Sequence, residues 1–148
     1  MRQAIARFLT LSSAEKGRTI EATLCLLIVR IAFGLLPFAW GLKLLGISPG
    51  DRAHGRVAAA EADDVARAIA RAARHVPFRA VCLQQAFAAL VMLRRRGLAA
   101  TVNLGLARAP GGGYLQAHAW TSCGHVPVTG DSGEVAARGF AAVATFAA

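Results

Sequence analysis

The chain has 148 residues, 55% of them hydrophobic, and 17 lysines and arginines against 8 aspartates and glutamates, a formal charge of +9. That is long enough for one domain with a real core, and the basic surface favours an anionic partner: nucleic acid, a membrane face or an acidic peptide. Cys25, Cys82 and Cys123 are odd in number and widely spaced, without a CxxC pair or a His cluster, which excludes a disulfide framework and points to no metal and no cofactor.

In chain order, residues 1–18 are basic and polar, and Ser12, Ser13 and Glu15 read as a capping signal whose S-x-E spacing is one short of a full capping box. From Ile20 to Leu45 the chain is nearly long and apolar enough to cross a bilayer. Arg30 near its middle would cost about 2.5–3.5 kcal/mol on an insertion scale, and Pro37 interrupts the helix. We therefore expect two apolar helices meeting near Pro37, packed on the domain or on a partner; a membrane-spanning or membrane-surface role is the alternative. Gly46 to Gly55 reads as a loop, dividing an N-terminal apolar helical segment (1–46) from a core (47–148). Val57 to His75 follows as a helix. Its apolar stripe is Val65, Ala68, Ile69 and Ala72, with Arg67, Arg71 and Arg74 opposite and Asp63 and Asp64 within reach of Arg67.

The stretch Val81–Gly97 is the centre of the reading. Leu83 to Leu93 is free of Gly and Pro, Arg94 to Arg96 complement the carbonyl end of a helix, and Gly97 can turn left-handed to stop it. Phe87, Leu90, Val91 and Met92 make this helix apolar over most of its surface, so it belongs in the core. Cys82 then sits in the first turn, among unpaired backbone N–H groups that stabilise a thiolate. Beyond it the period changes to two: a strand over Thr101–Arg108, a flexible turn at Ala109–Gly113, and a second strand over Leu115–Ser122 with Gln116, His118 and Trp120 on one face. Cys123-Gly124 reads as a hairpin turn, His125–Val128 as a third strand, and Thr129–Gly133 as a polar loop. The Ala-rich tail, Glu134–Ala148, reads as weakly helical and covering one face.

The fold class is therefore α+β, and its order suggests a thiol chemistry. A cysteine nucleophile needs an imidazole to pair with it and to protonate the leaving amine, and the imidazole needs a partner that orients it. After Asp64 the only carboxylates are Asp131 and Glu134, and Asp131 follows the strand that pairs with the His118 strand. A Cys82–His118–Asp131 triad follows from this order, with the Cys82 N–H as an oxyanion donor. Each member also has a plainer reading: a gap-filling thiol, a core histidine, an Asx-turn residue. His125 is the rival imidazole and Glu134 the rival acid. Cys123 lies in a turn and Cys25 in an apolar helix, neither with a helix terminus to activate it. The Arg94–Arg96 cluster is explained by helix termination, and no aromatic residues interleave it as nucleic-acid binding would require.

The run from Cys82 to Gly97, with C-L-x-x-A followed by A-L and R-R-R-G, and the A-H-A-W of Ala117–Trp120 resemble the leader peptidases of lasso-peptide biosynthesis. These are transglutaminase-like cysteine proteases, the protease part of the lasso B protein. Val128–Asp131, the opening Arg7–Glu15 and Leu35–Phe38 are similar too. The resemblance implies a transglutaminase/papain-like core in which Cys82 is nucleophile, His118 base and acid, and Asp131 the orienting carboxylate. It implies a ribosomally made precursor peptide (a RiPP) as substrate and a separate leader-recognition protein as partner. A separate ATP-dependent macrolactam cyclase would act next; the cytoplasmic location expected for the chain rests instead on its unpaired cysteines, which fit a reducing cytosol. The rivals are an acyl or amide transferase with the same triad, and a non-catalytic membrane-associated scaffold.

Overall fold

In a computed structural model, which describes residues 10–130 and 133–148, the chain opens on a capped helix. Helix α1 (Ser13–Leu35) has Ser12 as its N-cap: the Ser12 hydroxyl accepts from the Glu15 N–H (3.2 Å) and Glu15 Oε2 accepts from the Ser12 N–H (3.0 Å). The capping box is thus complete, counted from Ser12 and not Ser13. Pro37 ends α1 by forcing Leu36 into extended backbone, and α2 (Phe38–Leu45) starts immediately after it. The two apolar helices meet at Pro37, as the sequence predicts.

A two-residue strand β1 (Ser48–Pro49) precedes α3 (Ala59–Ala73), which buries the predicted stripe Val65, Ala68, Ile69 and Ala72 together with Ala62. Helix α4 (Cys82–Arg95) is the hub, touching α1, α3 and the sheet. Phe87, Leu90, Met92 and Leu93 on it are fully buried. Gly97, at φ 66°, then turns the chain as only glycine does cheaply. The arginines after Leu93 do more than end the helix. Arg96 bridges to Glu21 on α1 (2.5 Å), and Arg94 donates to the Gly46 carbonyl at the end of α2 (2.8 Å).

Strands β2 (Ala100–Arg108), β3 (Leu115–Cys123) and β4 (Val126–Thr129) form an antiparallel meander, its last turn falling at Gly124–His125, one residue later than expected. The tail departs further from expectation. After a single helical turn, α5 (Glu134–Ala137), it becomes β5 (Ala141–Ala147) and enters the sheet between β1 and β2, giving the order β1-β5-β2-β3-β4. Alanine-rich composition favours helix, but β2 offers a free edge that the tail can pair along most of its length. Phe146 then faces inward, 5.7 Å from the ring of Phe87, in an aromatic cluster with Phe33 and Phe38.

One continuous core joins α1, α3 and α4 to one face of this sheet, so residues 13–45 share their apolar contacts with the rest of the domain. Among the described residues, no helix is long and apolar enough to cross a membrane. Arg30 is exposed, its guanidinium 5.7 Å from the centre of the Phe78 ring.

Candidate active site

Cys82 is the first residue of α4, as the sequence predicts, and it is half-buried. Val81, the N-cap, has no side chain that can accept a hydrogen bond, and among the described residues no side chain accepts from the N–H of Cys82, Leu83 or Gln84. The first helical bond runs from the Gln85 N–H to the Val81 carbonyl (3.1 Å), so the N–H groups of Cys82, Leu83 and Gln84 lie outside the helical ladder. They form the positive end of the helix dipole around the thiol, where a thiolate or a developing oxyanion is stabilised. Gln84 and Gln85 hold the approach to this turn. Gln84 Oε1 accepts from the Val81 N–H (3.3 Å), and Gln85 Nε2 donates to the Ala80 carbonyl (2.7 Å). Both amides are bracing groups of the turn.

The other two thiols are sealed in the core: Cys25 is 5% exposed and Cys123 0%. Burial, reinforced by the nearby Glu21 carboxylate, pushes the Cys25 thiol up from its ordinary range.

His118 lies on β3 where the sequence places it, and its ring is held on several sides. Nε2 is 2.6 Å from the carbonyl oxygen of Gly130, and the ring packs against Trp120 (centroids 6.3 Å, nearly parallel) and Phe140 (5.2 Å). A carbonyl oxygen can only accept, so Nε2 carries the proton of the neutral ring. As a hydrogen bond, this contact has Nε2 donating, which is the neutral tautomer with its proton on Nε2 and none on Nδ1. Gly130 can approach so closely because it has no Cβ. A Cβ there would stand 2.4 Å from the Ala119 carbonyl, and its φ of 74° belongs to glycine. Asp131, the expected acid, lies outside the described residues, as does the side chain of Glu134; Gly130 is the immediate neighbour of Asp131 in the chain. Phe140 is the contact the sequence concealed, because it lies outside every motif and only the insertion of β5 brings it to the imidazole.

The structure brings His118 to Gly130 and does not join it to Cys82 by a hydrogen bond. Thr121 donates to the Ala86 carbonyl of α4 (2.9 Å), so Ala119, Thr121 and Cys123 face the helix. By strand alternation Gln116, His118 and Trp120 occupy the other face. Among the described residues, however, β4 pairs β3 only at Thr121–Cys123. At His118 the sheet has already lost that neighbour, and β3 forms its margin. Beside this margin the Thr129 hydroxyl is buried with no hydrogen-bond partner among the described residues. His125, the rival imidazole, sits in the β3–β4 turn and is exposed. No group of three His, Cys, Asp or Glu among the described residues is placed to hold a metal ion.

A family model described as the transglutaminase-like superfamily matches residues 24–145. No curated protein and no solved structure matches the chain.

Proposed function

The chain belongs to the transglutaminase-like superfamily, which includes cysteine proteases and transferases, and from that premise we propose that it is a cysteine peptidase removing the leader of a lasso-peptide precursor. The observation that carries the catalytic part is the Gly130 carbonyl on His118 Nε2, which leaves Nδ1 as the base, together with a thiol at the bare N-terminus of α4. The substrate class rests on the resemblance of Cys82–Gly97 and Ala117–Trp120 to the lasso leader peptidases.

In this reading Nδ1 of His118 takes the thiol proton, and the Cys82 thiolate attacks the scissile carbonyl. The N–H groups at the start of α4 stabilise the oxyanion. Collapse breaks the C–N bond, leaves a thioester on Cys82, and sends the proton from the imidazolium to the departing amine. Water, activated by the same imidazole, then hydrolyses the thioester. Asp131, the residue after Gly130, supplies the negative charge that balances the imidazolium, while the Gly130 carbonyl orients the ring through Nε2. His118 lies on the face of β3 away from α4, so the proton transfer from Cys82 requires thiol and imidazole to come together around the margin of β3 when substrate binds. A separate leader-recognition protein presents the precursor, and a macrolactam cyclase uses the freed amine.

The test is cleavage of the precursor by the purified chain with its leader-binding partner, followed by mass spectrometry. Loss of cleavage in Cys82→Ala and His118→Ala, with Cys25→Ala and Cys123→Ala near normal, is expected. An active Cys82→Ala would overturn the assignment. Product that appears only on adding an amine would identify a transferase with the same residues.

A further inference from the structure

The catalytic reading leaves the outer face of α1 and α2 unused. Ile20, Leu24, Ile28, Ile31 and Leu35 are all more than half exposed. At 3.6 residues per turn they fall within a wedge of about 80°, a single aliphatic stripe along most of the helix. Helix α2, which follows directly, exposes Trp40 and Leu44 as well, at 65% and 66%. An apolar row of this length on a folded domain marks a surface that meets something apolar.

The charges around the stripe say what that is. Both acids of α1 are already neutralised: Glu15 by Arg71 (3.6 Å), and Glu21 by Arg96 (2.5 Å) and Arg95 (3.6 Å). The cations outnumber them. On the same helical spacing Lys16 borders the stripe, with Arg30 further round on that side; Arg95, 65% exposed, pairs with Glu21 on the other. Lys43 lies 5.8 Å from the centre of the Trp40 ring. An aliphatic row bordered by cations, with an indole and an ammonium group at one end, matches the boundary between headgroups and acyl chains of an anionic bilayer. A second copy of this chain would instead bring +9 against +9. Neither helix is long and apolar enough to span the bilayer, so the pair would lie along its surface.

We propose that α1 and α2 seat this protein peripherally on an anionic lipid surface, with the aliphatic stripe in the acyl boundary and the flanking arginines among the phosphates. The inference is independent of the catalytic reading, and its test involves no activity. The full chain is floated with vesicles of phosphatidylcholine alone or with about one-third phosphatidylglycerol, where each basic residue at the surface adds about fivefold to partition. Partition to the anionic vesicles should exceed that to neutral ones by about tenfold or more. Leu24→Gln with Ile31→Gln should abolish it. These side chains are exposed, and unchanged thermal unfolding verifies that the variant is folded; Leu35→Gln, at a site 79% exposed, is the second variant. Trp fluorescence should shift to the blue on binding, and Trp40→Phe should remove the shift. The proposal is overturned if the chain floats with neither vesicle. It is equally overturned if the glutamine variants bind as wild type and salt alone releases them, because the arginines and not the stripe would then hold the lipid. A dimer or a protein complex that dissociates in the glutamine variants, without vesicle binding by the wild type, overturns it in favour of a protein partner.

Discussion

Replacing Gly130 by alanine tests the joint between fold and site. The residue is at φ 74°, and an added Cβ would stand 2.4 Å from the Ala119 carbonyl and 3.1 Å from Trp120 Cα. Two costs follow. The left-handed backbone costs a residue with a Cβ about 1–2 kcal/mol, and overpacking against backbone that cannot rotate away adds about 1–3 kcal/mol. Gly139→Ala separates the two, because Gly139 has φ 65° and nothing within 4 Å of its Cβ direction. Gly130→Ala should therefore be the less stable variant by the packing cost alone. In thermal unfolding that is about 2–4 °C for each kcal/mol in a domain of this size. A second readout reports on the site: nitrogen NMR of the imidazole should find the His118 proton on Nε2 in the wild type, and lose that preference in Gly130→Ala. Equal destabilisation by the two alanines, with the tautomer unchanged, would refute the reasoning that this close approach holds His118.

Native-state alkylation followed by peptide mapping should modify Cys82 first, since Cys25 and Cys123 are sealed in the core and burial pushes the Cys25 thiol up; earlier modification of Cys123 would count against the site. The hydrogen bonds from Ser12 hold the Glu15 carboxyl below its usual range, so its contribution is present above the ordinary carboxylate pKa and is lost as pH falls through the lowered one. The stability gap between wild type and Glu15→Gln, measured by urea unfolding, should thus narrow towards acid; a constant gap would contradict the capping role. Asp131→Asn should slow turnover more than Glu134→Gln, and the reverse ranking would move the third triad role to Glu134.

Much of this protein is legible in its sequence because local rules decide it. The break at Pro37, the left-handed stop at Gly97, the buried stripe of α3 and the alternation of β3 each depend on residues within a few positions of one another. So does the N-terminus of α4, which sets Cys82 among N–H groups that lie outside the helical ladder. The capping box falls one residue earlier than the S-x-E spacing from Ser13 suggests, because Ser12 stands three residues before Glu15 and takes the extended backbone of the cap.

What only the tertiary structure decided is non-local. Ala141–Ala147 has no strand-forming pattern of its own; the unpaired edge of β2 makes it one, and that insertion carries Phe140 to the His118 ring. The tautomer of His118 belongs here too, since it depends on a carbonyl 12 residues away in the chain that approaches only because Gly130 lacks a Cβ. The sheet face occupied by His118 is set by which side α4 packs on, a choice that strand alternation alone leaves open. The apolar residues of α1 are the last case. Sequence hydrophobicity counts Leu26 and Leu24 alike, and it is packing against α3 and α4 that buries the first and leaves the second exposed. Periodicity fixes which residues share a face, but the contacts that cover a face come from elements distant in the chain.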